Sequence, residues 1–232
     1  MRSATIMKKY KLIIFDLDGT LLDSLEGIGA AMNAVLSGHG LPVHTKAEYR
    51  YFVGNGLKKL AERALPAEVF VRDGIHPYYE ELVKAYETHY KEGLGLYPGI
   101  AGLLDRLTEA GYQLAVNSNK IDYMVKKIAA DYLADWNWAE ISGATEELPI
   151  KPSPAGAERI MAAAGAAQEE TLYVGDSEVD MATAQNAGID SAFVSWGFRR
   201  LADLEKAGAE ITYIIDRPEQ LMALLCGESA DK

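Results

Sequence analysis

The sequence predicts an α/β protein: a doubly wound, Rossmann-like parallel sheet with a small helical domain inserted into it. Three observations predict it. Short apolar runs rich in β-branched and aromatic residues recur, and each ends in a polar turn, as buried parallel strands do. Segments with apolar residues at helical spacing lie between those runs, several of them stopped by glycine. One stretch, residues 24–91, reads as helical throughout and carries no strand pattern.

Taken in order, Leu12 to Phe15 is the first strand, ending at Asp16. Residues 24–91 then supply helical segments at Leu25 to Leu36, Ala47 to Tyr51, Leu57 to Leu65 and Pro77 to Tyr90. The turn Val53-Gly54-Asn55-Gly56 separates two of them. Hinges are expected at Leu22 to Ser24 and at Glu92 to Leu96, where Gly93 and Gly95 relax the backbone. From Leu96 onward helix and strand alternate. Gly99 to Ala110 is helical. Leu114 to Val116 is a strand ending near Asn117 and Ser118, and Tyr123 to Leu133 is helical. A weaker strand surrounds Ile141. Pro154 to Ala164 is a helix, Leu172 to Val174 a strand, Glu178 to Ala187 a helix, and Ala192 to Val194 and Ile211 to Ile215 are the last strands. Such alternation predicts right-handed crossovers. The domains are therefore expected to be a core of residues 1–23 and 92–232 and an insert of 24–91. The tail from Gly227 is expected to fray.

The 232 residues are 49% hydrophobic and 25% charged, an ordinary globular composition. The net charge of -11, with no basic tract, disfavours nucleic-acid binding. Residues 1–11 lack the apolar core of a signal peptide. No apolar run approaches the ~20 residues that span a bilayer. Cys226 is the sole cysteine, so no internal disulfide forms, which fits a reducing compartment. The expectation is a soluble cytoplasmic protein, monomer or homodimer, with no membrane or nucleic-acid partner.

The chemistry sits where the strands end. Asp16 and Asp18 follow the first strand two residues apart, so in an extended chain they face the same side. Two anions so close call for a cation or a proton between them. Open α/β sheets bind ligands outside the carboxyl ends of their strands. Val174-Gly175-Asp176-Ser177, with Asp180 four residues past Asp176, is a second acidic turn after a second buried strand. Carboxylates converging there make a hard-oxygen site that suits Mg2+. Asp176 would equally serve as a helix N-cap, and Asp180 as a first-turn acid. Ser118, flanked by Asn117 and Asn119, offers a hydroxyl and backbone N–H groups at an expected helix start, an anion cradle or an ordinary N-cap. Lys151, fixed between prolines in Pro149-Ile150-Lys151-Pro152, would hold carboxylates and a phosphate together; a solvated lysine is the plainer reading.

Phe15-Asp16-Leu17-Asp18-Gly19-Thr20, Ser118, Lys151 and Gly175-Asp176-Ser177-Glu178-Val179-Asp180 resemble the four ordered motifs of the haloacid dehalogenase superfamily. Residues 24–91 resemble its helical cap. Tyr49 to Gly56 and Tyr97-Pro98-Gly99-Ile100 are similar to the phosphoglycolate phosphatases within it. Val116-Asn117-Ser118-Asn119-Lys120 departs from the usual Thr-Asn-Lys but keeps a hydroxyl. The resemblance implies a magnesium-dependent phosphatase acting on a small phosphorylated metabolite such as 2-phosphoglycolate. Asp16 would be the nucleophile and Asp18 the acid and base. Ser118, Asn119 and Lys151 would hold the phosphoryl group. Asp16, the carbonyl of Asp18 and Asp176 would ligate the metal, with Thr20 and Asp180 supporting. Arg50, Gly54 and Asn55 would contact the rest of the substrate, although Arg50 reads equally as a surface salt-bridge residue. A pyrophosphatase or a sugar-phosphate mutase on the same fold is the alternative. A non-catalytic phosphoacceptor is disfavoured by the order of the motifs.

Overall fold

The computed structural model of the chain describes residues 9–226; the expectations for the tail from Gly227 and for the first eight residues lie outside that range. A six-stranded parallel sheet forms the centre, in the order β5-β4-β1-β6-β7-β8. Its strands are β1 (Leu12–Phe15), β4 (Gln113–Ile121), β5 (Trp138–Ala144), β6 (Thr171–Gly175), β7 (Asp190–Val194) and β8 (Tyr213–Ile215). β1 is central, and all four of its residues are buried. Its side chains alternate between two cores, as the strand's period of two requires. Ile13 and Phe15 join one cluster with Leu103, Leu104 and Leu107 of α6 (Ile100–Glu109) and Val125 and Ile128 of α7 (Asp122–Tyr132). Leu12 and Ile14 join another with Ile160 of α8 (Ala155–Ala164) and Ala184 of α9 (Glu178–Ala187). Helices thus cover both faces, which explains the near-continuous apolar strands.

Between β1 and α6 come α1 (Leu25–Gly38), α2 (Lys46–Phe52), α3 (Gly56–Ala64), α4 (Ala67–Asp73) and α5 (His76–His89). α1 turns Ile28, Met32 and Leu36 inward, and α5 turns Tyr78, Leu82 and Tyr86 inward, each at i, i+4 or i+8 spacing. Thr45 caps α2 through a capping box with Glu48. α4 is a seven-residue helix that the sequence pattern does not reveal. Its Val69-Phe70-Val71 core favours strand by propensity, and only Val69 is buried.

The two expected hinges pair with each other. β2 (Leu22–Asp23) and β3 (Gly95–Leu96) form a short antiparallel ribbon, Leu22 opposite Leu96 and Asp23 opposite Gly95. β4 also runs further than Val116, on to Ile121, with register shifts against β5. α10 (Leu201–Lys206) and α11 (Pro218–Leu225) are the last helices among the described residues. Among the described residues no helix is long and apolar enough to cross a membrane.

Candidate active site

Parallel pairing brings the polar strand ends to one rim. Phe15 of β1 lies opposite Val116 of β4 and Val174 of β6. The residues that follow, Asp16, Asn117-Ser118 and Gly175-Asp176, therefore emerge side by side. The Asp16 N–H continues the ladder to the Val174 carbonyl at 2.9 Å. Asp16, Asp176 and Asp180 each place a carboxylate oxygen within 4.8 Å of the others, and all three residues are buried.

Two glycines make this approach possible. Gly19 adopts φ +89°, and a Cβ there would stand 2.5 Å from a carboxylate oxygen of Asp176. A Cβ on Gly175 would stand 2.3 Å from the Asp180 Cβ. Any side chain at either position would push the acids apart.

Lys151 supplies the opposing charge. Its ammonium lies 2.7 Å from Asp16 Oδ1 and 2.7 Å from Asp180 Oδ1, and the residue is 4% exposed, so the solvated reading is excluded. One ammonium does not neutralise three carboxylates. Burial pushes the Asp16 carboxyl well above the usual range and the Asp180 charge adds to it, against the pull of Lys151. Asp176 is pushed up to about 7, by burial first and then by Asp180, while the Phe198 N–H at 2.6 Å works the other way. Burial disfavours the charged lysine too, but Asp16 and Asp180 outweigh it and raise its pKa. This donor set, buried, oxygen-only and in negative excess, fits a hard divalent cation.

Asp180 is both a helix-capping acid and a site member. Its Oδ2 accepts from the Ser177 N–H at 3.0 Å and the Ser177 hydroxyl at 2.6 Å, closing a capping box at the start of α9. Its Oδ1 takes Lys151. Both oxygens are thus firmly engaged, whereas Asp16 Oδ2 accepts nothing among the described residues and Asp176 Oδ1 has only the long 3.4 Å contact from Thr20. The N-cap of α9 is Ser177, not Asp176. Thr20 is buried and donates to Asp176 at 3.4 Å.

Asp18 holds a buried cation of its own. Lys120 Nζ lies 2.6 Å from Asp18 Oδ1 and 2.6 Å from the Tyr86 hydroxyl of α5. The Ser24 hydroxyl donates to the same Asp18 oxygen at 2.5 Å. The sequence pattern alone assigns no role to Lys120, Tyr86 or Ser24. The available signal was Lys120 standing where related motifs also carry lysine. Burial opposes the charge on Lys120, but Asp18 and then Tyr86 reverse that and raise its pKa.

A small cavity opens over these groups. Asp16, Asp18, Ser118, Lys120 and Lys151 form its polar side, and Ile28, Val53, Leu57 and Leu60 its apolar wall. Gly54 also borders it, and its carbonyl accepts from Asn119 Nδ2 at 3.1 Å.

Four expectations need correction. Ser118 does not begin a helix: it lies inside β4, and α7 starts at Asp122. Its Oγ accepts from the Lys120 N–H at 3.2 Å. Asn119 borders the cavity, but its carboxamide is spent elsewhere, on the Gly54 carbonyl and on the Lys151 N–H and C=O at 2.8 and 3.1 Å. It clamps the Lys151 loop. Arg50 lies outside the cavity, in a separate cleft with Tyr97 and Trp196, and donates to the carbonyls of Phe198 and Gly197 at 3.0 and 2.9 Å. Among the described residues it forms no salt bridge either: its guanidinium donates to backbone carbonyls instead. The Asn55 side chain accepts from Arg63 at 2.8 Å and does not line the cavity.

The structure thus sets a carboxylate cluster with a buried lysine at the strand-end rim of a doubly wound sheet. Residues 13–194 match the family model described as haloacid dehalogenase-like hydrolase, and the chain belongs to that family. It is 30% identical over 220 residues to a phosphoglycolate phosphatase of Aliivibrio fischeri, covering 93% of this chain and 96% of the relative. It is 38% identical over 193 residues to one from Cereibacter sphaeroides, covering 81% and 86%. Among solved structures, a haloacid dehalogenase-like family hydrolase from Streptococcus pneumoniae superposes with a TM-score of 0.78 at 27% identity, covering 93% of this chain and 98% of that one.

Proposed function

We propose that this chain, a phosphatase of the haloacid dehalogenase-like family, hydrolyses 2-phosphoglycolate or a closely similar small phosphate monoester through an aspartyl-phosphate on Asp16. The observation that carries this reading is Lys151 held between Asp16 and Asp180 at the floor of a small cavity. Residues 24–91 are proposed to act as a cap, supplying the apolar wall of that cavity through Ile28, Val53, Leu57 and Leu60.

Asp16 Oδ1 is held by Lys151, while Oδ2 accepts no hydrogen bond among the described residues. Oδ2 is the oxygen proposed to attack phosphorus. The bond from phosphorus to the ester oxygen breaks as the bond to Asp16 forms. Asp18 gives its proton to the departing oxygen. It then takes a proton from the water that attacks the aspartyl-phosphate, which restores Asp16 and releases phosphate. Splitting one displacement into two makes each easier, and an acid-then-base group contributes on the order of 10²- to 10⁴-fold. Lys151 and Ser118 orient the phosphoryl oxygens. Asp16, Asp176 and the Asp18 carbonyl are proposed to hold Mg2+, with Asp180 beside them. Bound there, the ion offsets the negative charge that phosphate brings to an acidic site.

The size of the cavity supports a small ester, and the names of the relatives support 2-phosphoglycolate among such esters. Phosphate release with magnesium should be measured across 2-phosphoglycolate, other short phosphomonoesters, sugar phosphates and pyrophosphate. The expected result is the highest kcat/KM on 2-phosphoglycolate. A pyrophosphate preference, or phosphoryl return to sugar without net release, would replace this substrate with one of the alternatives.

A further inference from the structure

Asp18 is held on one side only. Both its side-chain partners among the described residues, the Lys120 ammonium at 2.6 Å and the Ser24 hydroxyl at 2.5 Å, address Oδ1. Oδ2 accepts nothing there, and Asp18 borders the cavity. A carboxylate turns about its Cβ–Cγ bond over a broad, two-fold torsion. Two donors fixed on one oxygen remove that freedom and select which oxygen faces the substrate.

Lys120 is itself held. It is 5% exposed, at the end of β4, and its ammonium meets the Tyr86 hydroxyl at 2.6 Å. Its N–H donates to Ser118 Oγ at 3.2 Å. Tyr86 is 1% exposed and belongs to α5, within residues 24–91. The two partners of Asp18 and the phenol that holds one of them therefore come from three separate segments: Ser24 beside the hinge, Lys120 from the sheet, and Tyr86 from α5. A lysine buried between a carboxylate and a phenol, with its ammonium in contact with both, is built to hold those groups.

We propose that Lys120 is a positioning residue: with Ser24 it pins Oδ1 of Asp18 so that Oδ2 carries the proton to and from the reacting oxygen, and Tyr86 fixes Lys120 for that task. This rests on the reading of Asp18 as acid and base. The role goes beyond packing because it acts on one half of the chemistry. A leaving group that needs a proton depends on where Oδ2 points. A leaving group stable as an anion does not. A displacement of about 1 Å in such a group costs on the order of 10²-fold.

The test uses two esters of nearly equal size, ethyl phosphate and trifluoroethyl phosphate, whose alcohols differ in how readily they leave unprotonated. Lys120→Met should lower kcat on the ethyl ester by about 10²-fold and on the trifluoroethyl ester by less than about 10-fold, with KM for both within about 3-fold. Tyr86→Phe removes only a hydroxyl and should show the same discrimination at about 3- to 10-fold. In an Asp18→Asn background, Lys120→Met should add no further discrimination, because there is no acid left to position. Equal losses on the two esters in both Lys120→Met and Tyr86→Phe, with Asp18→Asn still discriminating, would overturn the positioning role while sparing Asp18. No discrimination in Asp18→Asn itself would overturn the acid and base reading, and this role with it.

Discussion

Replacing Lys151 by methionine removes the one ammonium that, among the described residues, meets the cluster of three buried carboxylates, and nearly preserves the side chain's length. Two contacts of 2.7 Å are lost, one to Asp16 and one to Asp180. At an effective dielectric near 20, each pair at that distance is worth roughly 6 kcal/mol before desolvation is counted. Desolvation cancels most of this, and removing one member of a buried pair costs about 3–5 kcal/mol. The variant has one escape, which is to bind a proton. Asp16 is already raised far above the ordinary carboxylate range with Lys151 present, and Asp176 sits at about 7. Without Lys151 their pKa values rise further. A carboxyl whose pKa is raised on folding contributes its full stability below the unfolded value near 4, and that contribution is lost as pH climbs towards the folded value. Each pH unit in that window costs about 1.4 kcal/mol per proton. Wild type shares that loss up to its own raised values, so the extra destabilisation of Lys151→Met opens only above them: it should be smaller at pH 5 than at pH 8, with about 3–5 kcal/mol as its ceiling. Urea unfolding in excess chelator, at both pH values, measures it. Wild-type-like stability at pH 8, or an equal loss at both pH values, would refute the electrostatic account of the cluster.

Other outcomes follow from the same geometry. Gly19→Ala forces a Cβ against the Asp176 carboxylate, so magnesium affinity measured by calorimetry should fall at least about 10-fold, as expected for displacing a metal ligand's support. Arg50→Ala leaves the cavity intact, so KM should stay within about 2-fold of wild type, and a rise of 10-fold or more would restore Arg50 as a substrate ligand. Asp18→Asn should slow turnover by about 10²-fold or more with magnesium binding retained; an unchanged rate would remove it from the chemistry. Excess chelator should abolish phosphate release, and full activity under those conditions would contradict a divalent-ion site.

The legible part of this protein is the part that long-range order writes into short runs. Asp16 and Asp176 each end an apolar run, and parallel pairing obliges such ends to meet at one rim. Lys151, between prolines, is marked in the same way. Ser118 was misplaced because Asn117-Ser118-Asn119-Lys120 is polar and reads as a turn, although Ser118 to Lys120 lie buried within β4. What buries them is not local. Lys120 needs Asp18 and Tyr86, 102 and 34 residues away, and nothing near it in sequence announces a buried lysine. Arg50 failed for a related reason. A long side chain on a short helix can reach either the cavity or the neighbouring loop, and the Gly197 and Phe198 carbonyls that decide the matter lie 147 and 148 residues away. The hinge ribbon was missed because two-residue strands carry no periodicity to detect.

The central claim is that Asp16 becomes phosphorylated. The direct measurement is to quench the magnesium-loaded protein in acid during turnover of 2-phosphoglycolate and map any covalent phosphoryl group by peptide mass spectrometry. The account predicts a single labile, alkali-sensitive phosphoryl adduct on the peptide bearing Asp16, absent from Asp16→Asn. Turnover by Asp16→Asn at the wild-type rate, or an adduct on another residue, would contradict it.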